Sequence, residues 1–164
     1  MQFEIVGYRD EYEEQVKNLL VELQTYLASL DDRGVLVLKE TYRDGYYSYL
    51  MAELAKHEGK MFLARGAEGA VGLVTCKIFQ RGEEENFTTS CPKIGFISDL
   101  VVTEKARGKG IATALLTAAD KYFAEHACVY TQLEVFAPNA NARRLYEKFG
   151  FKTNCLYLSK RTNR

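Results

Sequence analysis

The chain contains no tryptophan, and only two prolines and two histidines in 164 residues. The histidines, His57 and His126, read as surface residues. Together with four scattered cysteines (Cys76, Cys91, Cys128 and Cys155) that form no CxxC pair, they supply no zinc-ligand spacing. No window approaches the roughly 18 consecutive apolar residues of a membrane-spanning helix. The start, Met1-Gln2-Phe3-Glu4, lacks the basic region and apolar run of a secretory signal. These absences describe a soluble, cytosolic chain whose cysteines are buried or half-buried free thiols. An excess of either charge is also missing: 22 basic and 22 acidic side chains cancel. Without a net basic field, nucleic acid is a poor partner.

What is present suits an ordinary globular core. Apolar residues make up 47% and charged residues 27%, which argues against disorder, and the length asks for one domain over 1–164. No internal repeat or low-complexity tract interrupts it. Phe3 and Ile5 mark a short first strand, and Asp10 with Glu13 fits a capping box at a helix start. Val16, Leu19, Leu20, Leu23, Leu27 and Leu30 continue at helical spacing until Asp31-Asp32-Arg33-Gly34 breaks the pattern. A tyrosine-rich helix is expected from Thr41 to His57, stopped by Gly59. Its Tyr42, Tyr46, Tyr47 and Tyr49 read first as a packing face and second as the lining of an acceptor pocket.

Met61–Ala64 and Val71–Ile78 form a hairpin across the Gly66–Gly69 turn, and Arg81–Pro92, with Glu83-Glu84-Glu85, is a solvated loop. From Ile94 to Val102 both alternating sets, Phe96/Leu100/Val102 and Ile97/Val101, are apolar, so the strand should be central and covered on both faces. Ile111, Leu115, Ala119 and Phe123 stripe the next helix, and Val129–Phe136 is a further strand. Pro138-Asn139 opens a last helix with Ala142, Leu145, Tyr146 and Phe149 inward and Gly150 at its end; Phe151–Ser159 should return as a final strand. The order is that of an α/β fold with helices on the faces of a sheet.

One segment carries chemistry. Arg107-Gly108-Lys109-Gly110 lies between a buried strand and a helix, where unpaired N–H groups and the positive end of the helix dipole favour an anion. Two glycines let a pyrophosphate approach the backbone, and Arg107 and Lys109 add charge. The GxxxxGK spacing of a Walker loop is absent. A dinucleotide fingerprint would need Gly or Ala where Thr113 stands and would lie near the start of a larger set of βαβ units. A plain surface turn with basic residues would account for the glycines alone.

The pattern Arg107-x-x-Gly110-x-Ala112 resembles the acyl-CoA pyrophosphate loop of the GCN5-related N-acetyltransferase family (Gln or Arg, x, x, Gly, x, Gly or Ala). The neighbouring segments resemble that family too: Phe96-Ile97-Ser98-Asp99-Leu100-Val101-Val102 before it, and Asn139-x-x-Ala142-x-x-Leu145-Tyr146-Glu147-Lys148-Phe149-Gly150-Phe151 after it. The likeness is clear from Gly95 to Phe151; the first 60 residues, which in this family commonly shape the acceptor pocket, match only in coarse pattern.

The resemblance implies a mixed, mostly antiparallel central sheet with helices on both faces and a splayed pair of central strands. It implies acetyl-CoA as acyl donor, with the pantetheine arm beside Leu100, Val101 and Val102 and the pyrophosphate on Arg107 to Ala112 and Thr113. Asn139 and Ala142 complete the donor site, Asn139 either bonding pantetheine or capping its helix. Direct transfer to an amine in a ternary complex needs a base for the ammonium and an acid for the thiolate. Tyr146, matching the family's tyrosine, is the candidate acid.

For the base there are two candidates: Asp99, a carboxylate interrupting an apolar strand, and Glu134, at a strand position that carries the base in several relatives. Ser98 stands where some relatives hold a glutamate, which argues against a paired-carboxylate polyamine site. The expected acceptor is a primary amine of a small molecule; the rivals are a peptide amino terminus or lysine, and a non-catalytic acyl-CoA sensor. Homodimers are frequent in the family.

Overall fold

The computed structural model describes residues 2–80, 82 and 93–162. The expected acidic loop at Glu83-Glu84-Glu85 and Cys91 lie outside the described residues. β1 (Glu4–Gly7) leads through a single 3-10 turn, Asp10–Tyr12, into α1 (Glu13–Leu30). α2 (Tyr42–Lys56), β2 (Lys60–Gly66), β3 (Gly69–Gln80) and β4 (Lys93–Val102) follow. A second 3-10 turn, Glu104–Ala106, precedes α3 (Ile111–Glu125), β5 (Tyr130–Leu133) and α4 (Ala140–Phe149).

The strands are ordered β1-β2-β3-β4-β5 in one sheet. The first four are antiparallel, and β5, reached by the α3 crossover, runs parallel to β4. β5 pairs with β4 only from Ile94↔Tyr130 to Ile97↔Leu133, so the two strands part beyond Ile97 and residues 98–102 of β4 keep β3 alone as neighbour. This is the expected mixed sheet with a splayed central pair.

Each face of the sheet has its own core. On one side Val74, Cys76, Ile78 and Ile97 pack against Ile111, Leu115, Ala119 and Phe123 of α3; on the other, Leu63, Leu73 and Val101 meet Val16, Leu20, Leu50 and Leu54 of α1 and α2. Gly95 has a specific use here, because a Cβ on it would lie 2.3 Å from the buried ring of Phe123. No helix among the described residues is long and apolar enough to cross a membrane.

β4 departs from simple alternation. Thr75 faces Asp99 while the next residue, Cys76, faces Ile97, which leaves Ser98 as the extra residue of a β-bulge. The bulge flips the faces, so Ile97 joins Leu100 and Val102 on the α3 side. Phe96 packs on the opposite side, its ring 5.8 Å from Phe79, which in turn meets His57 of the α2 end. The two alternating sets expected from sequence are therefore each split at Ser98, although both faces are covered as expected.

Several other expectations are corrected. α1 starts at Glu13 with Tyr12 at its cap position and no side-chain cap bond, so Asp10 and Glu13 form no capping box; buried Tyr12 anchors that start while Glu13 and Glu14 suit the dipole. β5 is shorter than Val129–Phe136, and Glu134 falls just beyond it, exposed. Phe151–Ser159 forms no strand: past Phe151, which packs beside Tyr146 and Phe149, the segment is exposed, with Tyr157 at 96%, because it finds no ladder partner among the described residues. Cys155 is exposed on it, whereas Cys76 is fully buried. His57 and His126 are half-buried rather than on the surface, each held by a neighbour, His57 by Glu53 at 3.6 Å and His126 by the Tyr122 carbonyl at 2.8 Å.

Candidate active site

The parting of β4 from β5 opens a cleft of about 360 Å³ whose floor is Leu100, Val101 and Val102. The chain leaves β4 through the 3-10 turn, and Arg107 is tied back by its Nε donating to the Val102 carbonyl at 3.1 Å. Gly108 and Gly110 both take positive φ, 76° and 79°, and a Cβ on either would meet nothing within 4 Å. Backbone conformation, not crowding, selects glycine at these positions, and the space beside them is open to a ligand.

Gly110 is the left-handed cap of α3 and carries no side chain to bond the first turn. The first intrahelical bond is Ala114 N–H to the Gly110 carbonyl at 3.0 Å, so the N–H groups of Ile111, Ala112 and Thr113 have no helical acceptor. Gly108, Gly110, Ile111, Ala112 and Thr113 all line the cleft. Lys109 does not; its ammonium turns back onto the Lys105 carbonyl at 3.0 Å.

α4 closes the far side with Asn139, Ala142, Leu145 and Tyr146. Asn139 is 9% exposed and caps the helix, its Oδ1 accepting the Ala142 N–H at 3.1 Å, so the capping half of its two expected roles is visible directly. Gly150, at φ 108°, ends the helix, and Phe151 packs edge-on to Tyr146 at 5.8 Å. Burial pushes the Tyr146 hydroxyl up to about 12, so it is protonated throughout the physiological range.

The two candidate bases occupy different settings. The bulge at Ser98 turns Asp99 away from α3, and it is 5% exposed. Its Oδ1 accepts from the Tyr46 hydroxyl at 2.8 Å and its Oδ2 from Thr75 Oγ1 at 2.7 Å. Thr75 Oγ1, its own proton spent on Asp99, accepts from the Asp99 N–H and from Ser98 Oγ, both at 2.9 Å. Burial first, and then the Asp99 charge, hold Tyr46 well above the usual tyrosine value. Asp99 lines neither cleft, but Tyr46 does. With Tyr42, Gln24 and the 35–41 segment it borders a second, shallower space of about 460 Å³. Glu134 stands one residue past Leu133, where the strands separate.

Sequence reasoning missed one wall of the first cleft. Glu22, Leu23 and Tyr26 of α1 line it. Glu22 accepts the Glu104 N–H at 3.0 Å and pairs with Arg107 at 3.7 Å, and the Arg107 guanidinium lies 5.3 Å over the Tyr26 ring. Leu23 belonged to the apolar stripe, but nothing local marks the other two, whose partners lie far along the chain. Among the described residues no cluster of histidine, cysteine or carboxylate side chains could hold a metal ion.

Comparison with known proteins places this geometry. A family model described as the acetyltransferase (GNAT) family matches residues 16–151. The chain is 35% identical over 114 residues to the N-alpha-acetyltransferase MAK3 of Arabidopsis thaliana, covering 68% of this chain and 50% of the relative. It is 29% identical over 85 residues to the spermine/spermidine N(1)-acetyltransferase of Bacillus subtilis, covering 51% of this chain and 53% of the relative. The chain thus spans about half the length of each. A solved structure from Pyrococcus furiosus, described as an acetyl transferase, superposes with a TM-score of 0.74 at 27% identity, covering 98% of this chain and 99% of that one.

Proposed function

Because the chain belongs to the GNAT acetyltransferase family, we propose that it transfers an acetyl group from acetyl-CoA to a primary amine by direct attack in a ternary complex, within a single domain spanning 1–164. The observation that carries this reading is the unpaired edge of β4 at 98–102, which opens into a cleft ending on the glycine cap of α3. The free N–H groups of Ile111, Ala112 and Thr113, with Arg107, receive the pyrophosphate at the positive end of the helix. Leu100, Val101 and Val102 present strand backbone to the amide-bearing arm, and the NH2 group of Asn139 faces the same arm across the cleft beside Ala142. Gly108 and Gly110 leave room for these contacts; Lys109 contributes charge from outside the cleft.

Tyr146 reaches the thioester sulfur. An ordinary thiol ionises near 8.5, so a tyrosine at about 12 is a weaker acid than the leaving group's conjugate. Tyr146 therefore stabilises the departing thiolate by hydrogen bonding before any full proton transfer. Asp99, with both oxygens engaged, fixes a negative charge beneath Tyr46 that favours a cationic acceptor. Glu134, exposed at the mouth of the split strands, takes the ammonium proton through water. The second space, bordered by Tyr42 and Tyr46, is where the acceptor lies.

The acceptor is a small-molecule amine. A peptide amino terminus is the second reading, favoured by the likeness to an N-alpha-acetyltransferase. Calorimetry with CoA tests the donor half: wild type binds, and Gly110→Glu, which puts a carboxylate into the cradle, does not. Retained binding in that variant removes the cradle. A thiol-release screen across amino acids, polyamines, aminoglycosides and amino-terminal peptides tests the acceptor half. Turnover of peptides alone replaces the small-molecule reading, and CoA binding without any turnover makes the protein a sensor.

A further inference from the structure

Tyr26 touches both ends of the donor cleft. It projects from α1 one turn after Glu22, and its ring lies beneath the Arg107 guanidinium, 5.3 Å from ring centre to Cζ. Its hydroxyl donates to Asn139 Oδ1 at 3.3 Å, the same oxygen that accepts the Ala142 N–H at 3.1 Å. The helix-cap bond alone fixes the position of Oδ1 but leaves the amide plane free to turn, because the terminal torsion of asparagine is broad. A second donor approaching from α1 fixes the plane.

With Oδ1 committed twice, the NH2 group of Asn139 points the other way. Asn139 is 9% exposed, borders the cleft, and its NH2 makes no hydrogen bond among the described residues. A buried amide donor left unmatched is costly, and a ligand carbonyl would satisfy it. The acyl donor's arm carries two amide carbonyls, and strand backbone at Leu100–Val102 faces Asn139 across the same cleft.

We infer that Tyr26 is a positioning residue for the acyl donor: through its hydroxyl it orients Asn139 toward an arm carbonyl, and through its ring it steadies Arg107 at the pyrophosphate end. The inference rests on the donor site proposed above and adds α1 as its third wall. The two functions of one side chain separate by substitution. Tyr26→Phe removes the hydroxyl and keeps the ring; Tyr26→Leu removes both.

The test measures the affinity of wild type and both variants for CoA and for 3′-phosphoadenosine 5′-diphosphate, which keeps the pyrophosphate and lacks the arm, by calorimetry. Tyr26→Phe should weaken CoA binding by about 2- to 10-fold, the worth of one hydrogen bond, and leave the arm-free diphosphate unchanged. In turnover it should raise KM for acetyl-CoA with kcat little altered. Tyr26→Leu should weaken both ligands. An unchanged CoA affinity in Tyr26→Phe, or an equal loss for both ligands, overturns the orienting role. An unchanged affinity for the arm-free diphosphate in Tyr26→Leu overturns the Arg107 role. Wild type failing to bind CoA would instead overturn the donor site itself.

Discussion

In the proposed reaction, Tyr146 and the two carboxylates divide the chemistry at the level of single residues. The Tyr146 hydroxyl makes no hydrogen bond to a described residue and is raised by burial, so it is available to an incoming sulfur. Tyr146→Phe keeps the apolar face that packs on Phe151 and loses only that donor. Steady-state and binding measurements should show kcat lowered roughly 100-fold, within the range for a lost acid or oxyanion-type donor, with CoA affinity unchanged. Full turnover at saturating substrates would remove Tyr146 from the reaction. The carboxylates are separated by kcat and KM. If Glu134 is the base, Glu134→Gln lowers kcat, while Asp99→Asn keeps kcat and raises KM for a cationic acceptor. The reverse pattern would exchange their roles. Asp99→Asn also sets an amide NH2 against the hydroxyl donors of Tyr46 and Thr75, so its thermal stability should be measured beside its kinetics.

Among the elements, β4 links the core to the site, and Gly95 is the point where it rests on α3. A methyl group there would lie 2.3 Å from Phe123 Cγ, and that ring is 2% exposed with core on every side. Gly95→Ala should cost about 1–3 kcal/mol through overpacking, seen as a lower urea midpoint at unchanged slope; an unaltered midpoint would mean that the α3 core yields freely. How far such detail was legible in the sequence depended on whether its cause was local. The inward set Ala142, Leu145, Tyr146 and Phe149, the hairpin, and the turn at Gly110 follow from spacing and from residues that force a backbone conformation. The Ser98 bulge was hidden because apolar residues on both sides of the strand leave no pattern for an extra residue to disturb. The expected last strand failed for a related reason: alternation shows that a segment could pair, not that an edge is available to it. Tyr26 was out of reach altogether, since its bond to Asn139 spans 113 positions.

Across the whole molecule the half-buried tyrosines make stability depend on pH in one direction. Tyr8, Tyr42, Tyr46, Tyr122 and Tyr146 are all raised, with burial the first cause for each; Asp99 adds to Tyr42 and Tyr46, and Tyr47 to Tyr8. Below the unfolded tyrosine value of about 10, folded and unfolded chains both hold these protons, and the stabilisation is fully present. Above it the unfolded chain releases protons that the folded chain retains, so stability falls until pH passes the folded values, which for Tyr146 is about 12. Tyr146 alone accounts for on the order of 2–3 kcal/mol over that interval. On the acid side the sign is opposite: Asp31, held low first by Arg33 and then by the Leu36 and Val35 N–H groups, supports the α1–α2 connection above the usual aspartate value and loses that support as pH falls below it. The urea midpoint, followed from neutral pH upward, should stay level to about pH 10 and then drop steeply, and in Tyr146→Phe the drop should be shallower. A drop as steep in Tyr146→Phe as in wild type would show this hydroxyl to be in contact with water, and would remove the buried setting on which the Tyr146 donor depends.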